Sequence, residues 1–242
     1  FGKIKKVISN KWMKNNPDTP VDIQYHGIKL RLLPQKNTIE SKILFSSRFR
    51  EKKELLAIKE KIKNGGTFID IGANLGYYSL MTAKAGAGKI IAVEPNPSLF
   101  NRLQQLSSLN GFDDVIEVFQ TGLGAQKGQI TLTISDEDLG SSSACNPDVN
   151  GKQIKIEVQI LQDLLSQNGI TKLDAMKIDV EGMEDKILFP FFENAPSSLH
   201  PSLIIIEEND NLWERNILQW LLENGYKTAS QTKGNYILEK ST

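Results

Sequence analysis

The stretch that decides the fold is Phe68-Ile69-Asp70-Ile71-Gly72-Ala73-Asn74-Leu75-Gly76. Four residues rich in β-branched and aromatic side chains read as a buried strand that delivers Asp70 near its carboxyl end. Gly72 and Gly76 then permit a tight turn into a helix, with a ligand close to the backbone. In open α/β sheets ligands bind outside the carboxyl ends of strands, where strand order reverses. A dinucleotide would need Gly-x-Gly-x-x-Gly, its second glycine admitting the pyrophosphate. Here Asn74 takes that second position and Tyr77 stands where the third glycine belongs. Both departures oppose a pyrophosphate, and the acidic Asp70 facing the crevice suits a cationic ligand.

The next strand ends at Glu94 in Ile91-Ala92-Val93-Glu94-Pro95-Asn96, 24 residues after Asp70. A carboxylate there can accept hydrogen bonds from both hydroxyls of a ribose. A ligand with a cationic centre and a ribose but no phosphate fits the pair, and S-adenosylmethionine is such a ligand. A nicotinamide-dependent oxidoreductase, and a catalytically inactive nucleoside-binding or interaction domain of the same fold, are the alternatives.

Outward from this motif, strands and helices alternate from Thr67 onward. Strands are expected at Thr67–Ile71, Lys89–Glu94, Val115–Gln120, Gln129–Ile134, Gln153–Ile160, Leu173–Val180 and Leu203–Glu207. Helices are expected at Tyr77–Ala85, Pro97–Asn110, Leu161–Gln167, Met183–Phe192 and Asn211–Glu223. Repeated strand–helix–strand units imply a parallel sheet covered on both faces. Only Gln231-Thr232-Lys233-Gly234 separates the last two strands, Tyr226–Ser230 and Asn235–Glu239, too short for a parallel crossover, so they form an antiparallel hairpin. The fold class is α/β: a doubly wound, Rossmann-like, mostly parallel sheet with a C-terminal antiparallel hairpin strand. A short N-terminal β-hairpin/helix extension precedes it, from the alternating pattern of Val21–Leu33 and the helical spacing of Glu51–Ile62. The expected division is residues 1–63 as an extension serving as substrate-side lid or oligomer contact, and 64–242 as the catalytic domain.

These residues resemble the FkbM-type branch of class I S-adenosylmethionine-dependent methyltransferases. The resemblance is carried by the motif around Asp70, by Ala92-Val93-Glu94-Pro95-Asn96-Pro97, and by Lys177-Ile178-Asp179-Val180-Glu181-Gly182, over roughly residues 50–240. It implies a seven-stranded sheet with its last strand antiparallel. By position it implies that Asp70 and Gly72 serve the methionine portion of the cofactor and Glu94 its ribose, with Ala73, Asn74, Gly76, Pro95 and Asn96 also among the cofactor-binding residues. It puts the turn at Thr121-Gly122 beside the adenine. The Ser141-Ser142-Ser143 run resembles the family's serine-containing loop.

Methyl transfer from a sulfonium needs no protein nucleophile, only alignment, and a base where the acceptor is a neutral hydroxyl. Asp179 ends the fourth strand, beside the first, and is the leading catalytic candidate; Glu181 and Glu207 join it. Together these three could take a divalent cation through oxygen ligands, but strand-end carboxylates are common in this sheet type without one, so no metal is assigned. The expected reaction is O-methylation of a small molecule, glycan or natural product, with S-adenosylhomocysteine as the product of the cofactor. A peptide acceptor stays open.

Composition bounds the rest. The chain has 242 residues and a formal net charge of zero, with 29 Lys+Arg and 29 Asp+Glu. That zero divides unevenly: residues 1–63 hold 16 Lys/Arg against 6 Asp/Glu, and the remainder 13 against 23. The basic lead-in would suit nucleic acid, but the crevice is acidic and no Asn/Asp-Pro-Pro-aromatic motif follows the fourth strand, which disfavours that acceptor. No apolar run reaches a membrane-spanning length, and the one cysteine, Cys145, excludes an internal disulfide. The expected location is the cytoplasm. The basic start Phe1–Lys6 lacks both a signal-type apolar core and an initiator Met, as suits a processed product or excised domain. Self-association or fusion to further domains is compatible with all of this.

Overall fold

The computed structural model describes residues 11–16, 18–45, 51–135, 138–141, 151–209 and 211–241. The basic start Phe1–Lys6, Ser142-Ser143, the Ser141 side chain and Cys145 lie outside what is described. Elements are numbered here from Val21 onward.

Seven strands form the central sheet: β3 (Thr67–Ile71), β4 (Lys89–Val93), β5 (Ile116–Phe119), β9 (Ala175–Ile178), β10 (Leu203–Glu207), β11 (Tyr226–Gln231) and β12 (Asn235–Lys240). Their order is β11-β12-β10-β9-β3-β4-β5. Strands β5, β4, β3, β9 and β10 run parallel, while β12 is antiparallel to both β10 and β11. The order reverses between β3 and β9, so the crevice opens at the ends of those two strands.

Period-two alternation divides the core between the two faces. Ile69, Ile71, Ile91, Val93, Met176, Ile178, Ile204 and Ile206 pack against α5 (Leu161–Gln167), α6 (Glu184–Asn194) and α7 (Ile217–Glu223). Phe68, Ile90, Ala92, Ala175, Leu203 and Ile205 face the other way, toward α2 (Lys52–Lys61), α3 (Tyr77–Lys84) and α4 (Pro97–Asn110). Helix α4 has its ends written in sequence: Asn96 accepts from the Ser98 amide, Pro97 occupies the first turn, and Gly111 closes the helix in left-handed geometry.

The hairpin of β1 (Val21–Tyr25) and β2 (Ile28–Leu32) forms as expected. Its inward residues Ile28, Leu30 and Leu32 are fully buried in the cluster that holds Phe68, Leu80 and Leu103. Polar contacts tie it to α4. Asn110 donates to the Lys29 carbonyl at 2.9 Å and accepts the Lys29 amide at 2.7 Å, and Arg102 donates to the Arg31 carbonyl at 3.1 Å while pairing with the buried Glu40 that follows the hairpin.

Three features differ from the sequence expectation. Helix α1 (Thr38–Phe45) was not anticipated; Asn37 Oδ1 caps it, accepting the Ile39 and Glu40 amides at 2.9 and 3.2 Å. The helix expected from Asn211 begins only at Ile217, because Glu184 and Asp185 claim the preceding segment. Asp185 accepts the Glu214 and Arg215 amides, Glu184 accepts from Trp213 Nε1, and Asn216 caps the helix. Finally, β7 (Gly128–Ser135) and β8 (Gly151–Gln159) join β6 (Gly122–Leu123) in a separate three-stranded sheet. No helix among the described residues is long and apolar enough to cross a membrane.

Candidate active site

The carboxyl ends of β3, β4, β9 and β10 surround a cavity of about 440 Å³, within the usual range for small-molecule sites. The turn after β3 supplies one wall. Gly72 and Ala73 both donate to the Val93 carbonyl at 3.0 Å, folding the turn against β4. Gly72 has a φ of 77°, and a Cβ there would lie 1.9 Å from the Asp179 carbonyl oxygen, so only glycine lets the turn and the β9 end approach this closely. Asn74 is also left-handed, with φ 55°. Asparagine tolerates that geometry, and its Oδ1 accepts from the Leu75 amide and Asn37 Nδ2, each at 2.8 Å.

Glu94 sits in the adjoining wall, 5% exposed. Oε2 accepts the Asn74 amide and Oε1 the Asn96 amide, each at 2.8 Å. Burial pushes its carboxyl up to about 7, against the lowering effect of those two amides. Each oxygen keeps a lone pair for a further donor. Thr121, Gly122 and Leu123 close that side, with Ile130, Leu132 and Ile156 of the small sheet; the surface is apolar apart from backbone.

At the opposite side, Lys177 lies buried at 4% exposure, its Nζ 2.9 Å from Asp179 Oδ2. Burial works against the ammonium, yet Asp179 and Asp70 hold it charged, above its usual range. Burial likewise works against the Asp179 carboxylate, and Lys177 with a hydrogen bond from Glu207 outweighs it, keeping Asp179 below its ordinary value. Glu207 is pushed up to about 9, by burial first and the Asp179 charge second, so it holds the shared proton. Glu181 lines the cavity too, with a strained φ of 56°.

Of the residues picked from sequence, Gly72, Ala73, Asn74, Glu94, Pro95, Thr121, Gly122, Asp179, Glu181 and Glu207 all line this cavity. Asp70, Gly76 and Asn96 stand behind it. Asp70 is 1% exposed. Its Oδ2 accepts the Ser79 amide at 3.1 Å and the Ser79 hydroxyl at 2.7 Å, so it anchors the first turns of α3. It lies opposite Lys177 in the β3–β9 register. Gly76 lets α3 and α4 approach, since a Cβ would fall 1.9 Å from Leu103 Cδ1. Asn96 caps α4 and donates to the Leu139 carbonyl at 3.2 Å. Among the described residues no group of three His, Cys, Asp or Glu stands in metal-holding geometry.

Sequence reading missed what the extension brings. Asn37, Thr38, Lys42 and Glu51 line the same cavity. The Leu139 amide donates to the Lys36 carbonyl at 2.9 Å, strapping the 138–140 turn over the turn after β3. The Asn-x-x-Glu pattern of Asn37–Glu40, a helix-start signature, was the available signal.

The model of the Methyltransferase FkbM domain matches residues 70–228. Methyltransferase sdnD of Sordaria araneosa is 28% identical over 150 residues, 50% of this chain and 58% of that protein. An arginine N(omega)-methyltransferase of Streptomyces achromogenes subsp. streptozoticus is 36% identical over 64 residues, 26% of this chain and 18% of that one. The chain thus spans little more than half of the first relative and a small part of the second. Among solved structures, the tRNA (uracil-54, C5)-methyltransferase of Pyrococcus abyssi in complex with S-adenosyl-L-homocysteine has a TM-score of 0.51 at 10% identity, over 92% of this chain and 44% of that chain. That likeness is one of fold. With the strand order, the strand-end cavity and the matched span in agreement, the chain belongs to the FkbM methyltransferase family.

Proposed function

We propose that this chain is an S-adenosylmethionine-dependent methyltransferase acting on an oxygen of a small molecule, glycan or natural product. Glu94 carries the reading: a buried carboxylate whose two oxygens are already aimed by the Asn74 and Asn96 amides into the strand-end cavity. The residues present fit the cofactor. Glu94 offers two acceptors for ribose hydroxyls, Gly72 and Ala73 line the cavity with small residues, and the apolar wall at Leu123 suits an adenine. Asp70, Gly76 and Asn96 act as positioning residues, holding α3 and α4 rather than touching ligand. Asn74 and Tyr77 stand where a dinucleotide would need glycine, which argues against nicotinamide chemistry.

When bound, the cofactor supplies an electrophilic methyl carbon on a positive sulfur. The chain's work is to hold an acceptor in line with it, a contribution worth about 7–11 kcal/mol in well-oriented systems. Asp179, kept ionised by Lys177, makes this end of the cavity electronegative, while Glu207 holds its proton against Asp179. Glu181 borders the same space. This electronegative end favours a neutral hydroxyl over a carboxylate acceptor. A nitrogen acceptor is the second reading, favoured by the same negative potential. Cytoplasmic action belongs to the proposal. Incubation with S-adenosylmethionine and matched alcohol and amine acceptors, with products identified by mass spectrometry, separates the two. Methylation of amines alone would overturn the oxygen assignment.

A further inference from the structure

We propose that Glu51, contributed by the N-terminal segment, is the general base that takes the acceptor's hydroxyl proton; this rests on the reading of methyl transfer to oxygen. Glu51 lies outside the family-matched residues 70–228. It stands at the N-cap position of α2, and its side chain makes no capping hydrogen bond. Its residue instead lines the strand-end cavity beside Tyr77, Lys177 and Asp179.

Most of the other carboxyls of the cavity are already engaged. Asp179 is paired with Lys177 and held below its ordinary value, which makes it a poor proton acceptor. Glu207 already carries its proton at neutral pH. Glu94 is fixed by two amides on the ribose side. Glu181 is raised by burial first and by the Asp179 charge second, and Asp138 Oδ1 accepts the Gly140 and Thr38 amides at 2.9 and 3.3 Å. Glu51 feels Lys177 and Asp179 from the β9 end, Glu54 from its own helix and Lys42 from α1. Tyr25, Tyr77 and Tyr78 also face it. Burial is the largest influence and pushes Glu51 up to about 7, where a base is both available and effective near neutrality.

In the step, the acceptor oxygen forms a bond to the methyl carbon as its O–H proton passes to the Glu51 carboxylate. The carbon–sulfur bond breaks, its electron pair stays on sulfur, and the sulfonium becomes a neutral thioether. Glu51 ends as a neutral acid and returns the proton to water.

The test uses the full chain and its Glu51→Gln and Glu51→Asp variants. Calorimetry with S-adenosylhomocysteine comes first. Equal affinity in wild type and Glu51→Gln shows an intact fold and cofactor site, whereas no binding by wild type defeats the methyltransferase reading itself. A tenfold or greater loss confined to Glu51→Gln overturns the base assignment in favour of a cofactor contact. Transfer of labelled methyl to a set of methyl glycosides is then followed from pH 5.5 to 9. The expected loss in Glu51→Gln is about 100-fold or more, with the rising limb near pH 7 abolished and part of the rate restored in Glu51→Asp. A retained limb, or a loss under tenfold, overturns the proposal. Independently of any acceptor, the ¹³C carboxyl resonance absent from Glu51→Gln should titrate near pH 7 in wild type. Titration near the ordinary value of about 4.3 overturns it.

Discussion

Asn37 Nδ2 donates to Asn74 Oδ1 at 2.8 Å, joining the N-terminal segment to the turn that follows the first strand of the parallel sheet. Asn37 is buried, and its other side-chain atom caps α1. One residue therefore both starts a helix and braces the left-handed corner of the turn after β3.

Two substitutions separate those roles. Asn37→Ala removes the cap and the donor, and should cost about 1–2 kcal/mol in urea unfolding. Asn37→Asp keeps an acceptor for the cap but loses the donor to Asn74, so stability should be retained better than affinity for S-adenosylhomocysteine. Equal affinity in all three proteins would show that the strap does not shape the site.

Gly72→Ala should fold poorly and bind no S-adenosylhomocysteine. The added methyl meets the Asp179 carbonyl at 1.9 Å and the backbone sits at φ 77°. Overpacking of this kind costs about 1–3 kcal/mol, before the strain of the left-handed backbone. Wild-type melting and binding in this variant would disprove the close approach of the β3 and β9 ends.

Lys177→Met should destabilise the chain by about 3–5 kcal/mol, because it leaves the buried Asp70 and the partly buried Asp179 without their cation. Adding Asp179→Asn should recover part of that loss, since the charge left unpaired is then removed. Denaturant midpoints that do not move in Lys177→Met would contradict the ion-pair role.

The pH dependence has a definite sign. Glu51 and Glu94 are both raised by burial to about 7, so the folded chain binds more protons than the unfolded one between about pH 4.5 and 7. Their contribution is fully present below pH 4.5 and is lost as pH rises through 7. Glu207, raised to about 9, extends the fall; Asp179, held low, opposes it only below its ordinary value. The ligand-free chain should melt higher at pH 5.5 than at pH 8.5. Ribose hydroxyls favour ionised Glu94, so binding S-adenosylhomocysteine at pH 6.5 should release protons, measured by calorimetry in buffers of different ionisation enthalpy. Proton uptake would contradict the ribose role.

The parallel sheet and its closing hairpin were legible because Phe68–Ile71, Ile90–Val93 and Leu203–Ile206 are apolar runs whose connections admit one topology. The cavity wall at the ends of β3 and β4 was legible for the same reason: Gly72 and Glu94 occupy fixed strand ends. For Asp70, strand position tells which face the side chain takes, not that Ser79 stands behind it at 2.7 Å. Asn37, Lys42 and Glu51 escaped notice because they reach the cavity from outside the sheet, through packing of Ile28, Leu30 and Leu32 that no local period encodes. The late start of α7 is of that kind too, since buried Glu184 and Asp185 hold residues 213–215 from a neighbouring helix.

The most direct measurement is calorimetric titration of the full chain and Glu94→Ala with S-adenosylhomocysteine at pH 7.5. Wild type should bind one equivalent. Loss of two hydrogen bonds to a buried carboxylate should weaken the variant by about 100-fold or more, while its thermal unfolding stays cooperative. Equal affinity in a folded Glu94→Ala protein would contradict the cofactor site.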